Sequence, residues 1–225
     1  MGVSSELAQL RELIQVFPDK YSLKEVEKAN AAARTKYELL DNDLIPYITE
    51  SLKSGKFELN TSNCFKLCEV FHGFIFQDII SNNGQFRDPH DPNDGHVFFG
   101  GQKRGELQPK FTGTQPSNIK RDLKKAFKFL HEDTPVDPVE NALKFYQRFV
   151  KTHPFYDGNG RVARLFVNIY LLRFGLYIDW RNLQKQSSFL KKLNLVHKTQ
   201  IPKHFEWWKN KCEKFIRQIS DEDQE

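Results

Sequence analysis

His153-Pro154-Phe155-Tyr156-Asp157-Gly158-Asn159-Gly160-Arg161-Val162-Ala163-Arg164 gathers an imidazole, a carboxylate, two glycines and two guanidinium groups into one short stretch. The segment before it, Asn141 to Thr152, carries Ala142, Phe145, Phe149 and Val150 at helical spacing, which predicts an amphipathic helix with one buried stripe. Pro154 ends that helix. Its ring crowds the residue before it, so His153 is expected in an extended conformation with the imidazole turned to the following loop. Asp157-Gly158-Asn159-Gly160 then permits positive φ and close approach, so that successive N–H groups can converge on one anion. A second helix is expected from near Arg161, with Val162 to Leu172 apolar almost all round except at Arg164 and Asn168, as in a helix buried mid-domain.

The N-terminus of that helix faces the glycine turn, and its free N–H groups and dipole add to the anion site. Arg161 and Arg164 are three residues apart, which puts both on one helical face and suits a di- or triphosphate. Asp157 would repel that phosphate unless a cation lay between them. Magnesium commonly takes only one or two carboxylates, so a single Asp suffices. His153 is the candidate general base, since an unperturbed imidazole has a pKa of about 6.5 and can take a hydroxyl proton at neutral pH. Taken alone, His153 would pass for a helix-end histidine and the arginines for a surface pair. Their joint spacing argues otherwise.

At these residues the chain resembles the Fic (filamentation induced by cAMP) family, whose signature His-x-Phe-x-(Asp/Glu)-Gly-Asn-Gly-Arg-x-x-Arg is matched here at all eight specified positions. The resemblance implies a mainly α fold, a helical bundle with a small β-hairpin flap, and transfer of AMP from ATP to a protein hydroxyl. It assigns His153 as base, Phe155 as core anchor, Asp157 as Mg2+ ligand, and Gly158, Asn159 and Gly160 as phosphate nest. Arg161 and Arg164 hold the outer phosphates, with Arg161 also facing charge developed in the reaction. A looser likeness extends upstream through His72, Phe76, Asp78 and Gly84 to Arg87. The intact Gly160-Arg161 favours AMP over the phosphate-transferring branch of the family. Transfer of phosphate, UMP or phosphocholine on the same fold remains an alternative, as does a non-catalytic binding module with a basic surface.

The rest of the chain agrees with one soluble unit: 225 residues, 39% hydrophobic and 28% charged, with 20 Phe to fill a core. No apolar run approaches the roughly 20 residues that span a bilayer, and the N-terminus lacks a signal pattern. A cytoplasmic location is expected, with secretion as an effector left open. Cys64, Cys68 and Cys212 are expected to be reduced packing residues. The net charge of +5 is uneven, with ten Lys/Arg against Glu206 and Glu213 between Arg181 and Arg217. A solvated helical face is preferred over a nucleic-acid surface, because no recognition motif accompanies the charge.

Three regions are expected: an N-terminal helical extension over 1–62, a core over 63–180, and C-terminal helices with a short acidic tail over 181–225. In the first, Glu6 to Phe17 is amphipathic and stops at Pro18. Ser22 to Glu25 resembles a capping box for a helix through about Leu40, a break follows at Asp41-Asn42-Asp43, and a short helix covers Leu44 to Leu52. Asn60 to Asn63 can cap a buried helix over Cys64 to Ile80, on which His72 is expected to be a satisfied core histidine. Asp94 to Phe111 carries the only convincing β signal, His96 to Phe99 with a return over Leu107 to Phe111. By the resemblance this is the flap, which clamps a protein substrate by strand addition. Asp88 to His96 fits neither an EF-hand nor a zinc site and is expected to be a polar turn. Ser117 is expected to cap a helix to His131, Pro135 and Pro138 to open the helix before the motif, and two helices, Phe189 to Val196 and Phe205 to Ile219, to close the fold. Trp207, Trp208 and Phe215 are expected to pack inside.

Many Fic proteins are restrained by a helix of pattern (Ser/Thr)-x-x-x-Glu-(Gly/Asn), whose glutamate pairs with the second motif arginine. Ser54 to Glu58 comes nearest, but Leu59 follows and Gly55 suits a helix interior poorly. This departure leaves restraint of Arg164 to a separate antitoxin-like inhibitory partner, to oligomer contacts, or to nothing.

Overall fold

The computed structural model describes residues 23–99, 111–131, 134–199 and 201–219. The expected helix over Glu6 to Phe17, Ser22 of the capping box, the flap tip and the acidic tail lie outside these residues. The described chain is mainly helical, with two short antiparallel strand pairs. No described helix is long and apolar enough to cross a membrane.

Two helices form the centre. The first, α5, runs Pro138–Thr152 and the second, α6, runs Asn159–Leu172. Asp137 caps α5 by accepting the Glu140 N–H at 2.9 Å, and Pro138 fills the first helical position, where a missing N–H costs nothing. Phe145 and Phe149 from α5 meet Phe166 of α6 at centroid distances of 5.5 and 6.4 Å, and Phe71 and Phe127 close the cluster. Nearly every residue from Val162 to Leu171 is buried. Each large apolar side chain removed from water there contributes about 1.5–3 kcal/mol.

Around the pair lie α1 (Leu23–Leu39), α2 (Ile45–Lys53), α3 (Thr61–Phe76) and α4 (Ile119–Phe127). The expected break at Asp41 to Asp43 is instead a π-helical turn, Leu40–Leu44, that joins α1 to α2. The wide turn brings Asp41 within 2.6 Å of the Asn168 amide, which also accepts from the Trp180 indole at 2.9 Å. Asn60 caps α3 through the Asn63 N–H, and α3 ends earlier than expected, at Phe76, with Asp78 at φ 64°. Ser117 is not a cap. It lies inside a 3-10 turn, Pro116–Asn118, that leads into α4, and a second 3-10 turn follows at Lys128–Leu130.

The flap strands are β1 (Phe98–Phe99) and β2 (Phe111–Thr112), antiparallel, with Phe98 opposite Thr112 and Phe99 opposite Phe111. A second pair, β3 (Leu176–Ile178) with β4 (Ile216–Gln218), has no counterpart in the sequence reading, which extended a helix to Ile219. Between these strands stand α7 (Trp180–Lys185), α8 (Ser187–Thr199) and α9 (Pro202–Glu213). Trp208 is fully buried, whereas Trp207 is 41% exposed beneath the Lys203 ammonium, contrary to the packing expected of it. The three cysteines are free thiols in the core.

Candidate active site

The site begins with the way α5 stops. Pro154 has no N–H to give to the carbonyl of Val150, four residues back, so that carbonyl is left open. His153 takes it: Nδ1 lies 3.2 Å from the Val150 oxygen. A carbonyl can only accept, so Nδ1 carries the proton and Nε2 presents a lone pair. Nε2 is buried without a partner. Burial, with the nearby Arg87 and His197 acting in the same direction, pushes His153 down to about 3, so the ring is neutral at ordinary pH.

His153 is not extended, as the proline alone implied. It is the left-handed C-cap of α5, with φ 52° and ψ 59°, and its N–H bonds to Phe149 at 3.1 Å. Contacts from outside the helix outweigh the local preference. The Arg87 guanidinium donates to the carbonyls of His153 at 2.8 Å, Thr114 at 2.7 Å, Thr152 at 3.4 Å and Gly95, while the Arg87 N–H reaches Pro154 at 3.0 Å. One buried cation thus ties the helix exit to the base of the flap, and Thr114 N–H adds a bond to Thr152 at 3.0 Å. Gly113 is needed at this junction because a Cβ there would lie 2.7 Å from Val97 and 3.1 Å from His153.

The turn itself is held from three sides. Phe155 is fully buried as an anchor. His72 stacks on it at 3.9 Å and 8°, accepts the Gly84 N–H at Nδ1, and donates from Nε2 to the Asp157 carbonyl at 3.2 Å. It is the satisfied core histidine expected from the sequence, pushed by burial to about 4. The Asn159 side chain is spent on the backbone of Phe155, so only its main-chain N–H is left for an anion. Gly158, at φ 71°, caps α6, and a Cβ there would lie 2.1 Å from the Phe76 ring. Asp157, almost wholly buried, accepts the Gly158 N–H at 2.6 Å.

Helix α6 starts at Asn159, two residues earlier than expected, so Asn159 and Gly160 contribute the unsatisfied first N–H groups. The Arg161 guanidinium lies over the Phe76 ring at 5.3 Å, with Nη2 3.5 Å from Asn30 of α1 and Nη1 buried without a partner. Burial lowers its pKa, and the Asp157 carboxylate works against that shift. Arg164 lies 5.2 Å over the ring of Tyr37, also on α1. Glu58, by contrast, is exposed, and its backbone carbonyl is bonded to Asn63.

The structure therefore brings His153, Asp157, Gly158, Asn159, Gly160, Arg161 and Arg164 together. It adds Arg87, Gly113, Asn30 and Tyr37, to which sequence reasoning gave no role. Arg87 stood inside the looser upstream likeness, and its spacing to the motif was the one available signal.

A model of the Fic/DOC family matches residues 65–171. Protein adenylyltransferase fic-1 of Caenorhabditis briggsae is 29% identical over 121 residues, which are 50% of this chain and 22% of that one. Protein adenylyltransferase Fic of Drosophila willistoni is 30% identical over 161 residues, 70% of this chain and 29% of that one. The matched stretches thus span less than a third of either relative. Among solved structures, the BepC protein of Bartonella tribocorum, a VirB-translocated effector with bound AMPPNP, superposes with a TM-score of 0.56 at 14% identity over 88% of both chains. A Fic domain containing signaling protein from Bacteroides thetaiotaomicron gives 0.55 at 18% identity, over 90% of this chain and 74% of that one. At such identities the likeness is one of fold. The motif turn and the helices that hold it lie within the matched segment, and residues 65–171 of this chain form a domain of the Fic/DOC family.

Proposed function

We propose that this domain transfers AMP from ATP to a Ser, Thr or Tyr hydroxyl of a protein docked at the flap. The observation that carries the reading is the His153 Nε2, proton-free, buried and without a partner, on the turn that leads into the N-terminus of α6. Its lone pair is free for a hydroxyl placed against it, and a buried nitrogen left without a partner is costly to keep for any other purpose.

Asp157 is a hard oxygen donor at the mouth of α6, a fit for Mg2+, which when bound there would neutralise phosphate charge. The chain's own groups do the rest. Nε2 of His153 takes the hydroxyl proton as the acceptor oxygen bonds to the α-phosphorus. The bond from that phosphorus to its bridging oxygen breaks, and pyrophosphate leaves with the electron pair. The guanidinium groups of Arg161 and Arg164 and the N–H groups of Asn159 and Gly160 face the developing charge, so catalysis is positioning and electrostatics. The outer edge of the flap holds the acceptor segment through main-chain bonds, with Phe98, 48% exposed, on the side away from the core. Restraint by a separate inhibitory partner belongs to the same proposal, because among the described residues Arg164 rests on Tyr37 and no glutamate is recorded against it.

The test is intact-protein mass spectrometry after incubation with ATP and Mg2+, alone and in cell lysate, for the wild type and His153→Ala. The expected result is a gain of one adenylyl group on the protein or on a lysate component, absent in the variant although the variant still binds nucleotide. Gain from UTP or a phosphocholine donor instead would reassign the donor. Failure to bind any nucleotide would leave a binding module.

A further inference from the structure

The described parts of the flap strands, Phe98–Phe99 and Phe111–Thr112, rest on side chains from the helices beneath them. Alternation along β1 turns Val97 and Phe99 inward and leaves Phe98 exposed. On the inner face, Phe99 stacks on the His153 ring at 4.3 Å and 11°. Its cross-strand partner Phe111 lies 5.6 Å away. Against both phenylalanines stands a second histidine, His197 of α8, edge-on to Phe99 at 6.0 Å and 88° and to Phe111 at 5.7 Å and 65°.

His197 lies outside the segment matched by the family and is 96% buried, being only 4% exposed. Its Nδ1 takes the Gln147 amide nitrogen at 3.2 Å, so its ring is set by α5, the same helix that carries the base. The neutral ring then bears its proton on Nε2, which has no oxygen or nitrogen partner. Phenylalanine would fill the same space without leaving a polar atom unsatisfied. What histidine supplies is orientation. Gln147 locks the ring, and the locked edge meets two aromatic side chains, one from each flap strand.

We infer that His197, held by Gln147, is a positioning residue that seats the flap over His153 and so fixes how an acceptor strand is presented to the base. The inference rests on the adenylyl-transfer reading for its functional meaning, but its geometry can be tested without activity. Diethyl pyrocarbonate, which acylates an accessible neutral imidazole nitrogen, serves as the probe on the full chain, with modified peptides quantified by mass spectrometry. In the wild type, His153 is shielded under Phe99, His72 is shielded between Gly84 and Asp157, and the exposed His90 reports reagent strength.

With His197→Ala the flap loosens, and His153 is expected to react about ten-fold faster while His72 keeps its wild-type rate, a signature of local opening. Gln147→Leu, which frees the ring but keeps its bulk, is expected to give a smaller rise in the same direction. Where the wild type transfers AMP, His197→Ala raises KM for the acceptor about ten-fold with ATP affinity unchanged, because only presentation is lost. An unchanged His153 rate in His197→Ala, or equal rises at His153 and His72, would overturn the inference. A wild type that transfers no AMP while the protection pattern holds would sink the proposed reaction and leave the flap seating standing.

Discussion

Asn159 grips the backbone of Phe155 from both sides: the Phe155 N–H donates to Oδ1 at 2.9 Å, and the Phe155 carbonyl accepts from Nδ2 at 2.8 Å. The turn between them, which carries Asp157, is thereby closed into a loop of fixed size. Asn159→Asp keeps an acceptor for the N–H and sets a carboxylate oxygen against the carbonyl. A loss of about 2–3 kcal/mol in urea denaturation is expected, together with loss of nucleotide binding.

Pro154 governs the tautomer of the His153 ring. Pro154→Ala restores an N–H that competes for the Val150 carbonyl, so Nδ1 loses exclusive use of it. A fall of about ten-fold in transfer rate with little change in ATP affinity is expected, against a loss of about 10²–10⁴ for His153→Ala. Single-turnover transfer with isothermal titration of ATP separates the two effects.

Acid should unfold this domain early. His72, His153 and His197 are held by burial at about 4, 3 and 4, below the value of about 6.5 expected of an unfolded chain. Between those limits the unfolded state binds more protons than the folded one. The stability from keeping these rings neutral is therefore full above pH 6.5 and drains away as pH falls toward 4. Each ring adds up to about 1.4 kcal/mol per pH unit to that slope. Urea denaturation from pH 7 to 4.5 should show the decline, and His197→Phe, which removes one titrating ring, should make it shallower by about one such increment.

Gly158 answers to two constraints at once. A Cβ would meet the Phe76 ring at 2.1 Å, and the backbone sits at φ 71°. Gly158→Ala is expected to lower stability by about 2–4 kcal/mol, read as a fall in melting temperature, whereas Gly160→Ala, whose Cβ would find nothing nearer than 3.6 Å, should fold normally.

Much of this is legible in the sequence, and what is not has a common cause. Pro154, the two glycines and the apolar run Val162 to Leu172 act through local sterics and periodicity, so the helix stop, the turn and the buried helix followed from them. Where distant groups decide, local rules failed. His153 adopts a left-handed conformation in the grip of Arg87, 66 positions away, and the Asp41 turn stays helical with its carboxylate bonded to Asn168, 127 positions away. Strands β3 and β4, three residues each, are short enough to be lost in the flanking helical patterns. Nothing near Gln147 or His197 announces that they meet. The motif residues share one turn because they are close in sequence, whereas Arg87, Asn30 and Tyr37 reach them from distant elements.

The pairing of β3 with β4 has a consequence for timing. Together with bonds from Asp179 to Phe215 and from Ile219 to Gly175, it closes the chain between them into a lobe tied at its neck. A segment tied in this way tends to open as one cooperative unit. Because His197 rides in that lobe, a change that shortens the life of the tie at Ile216 to Ile219 is expected to reach the flap as well, so β4 would bear on a site it does not help to build.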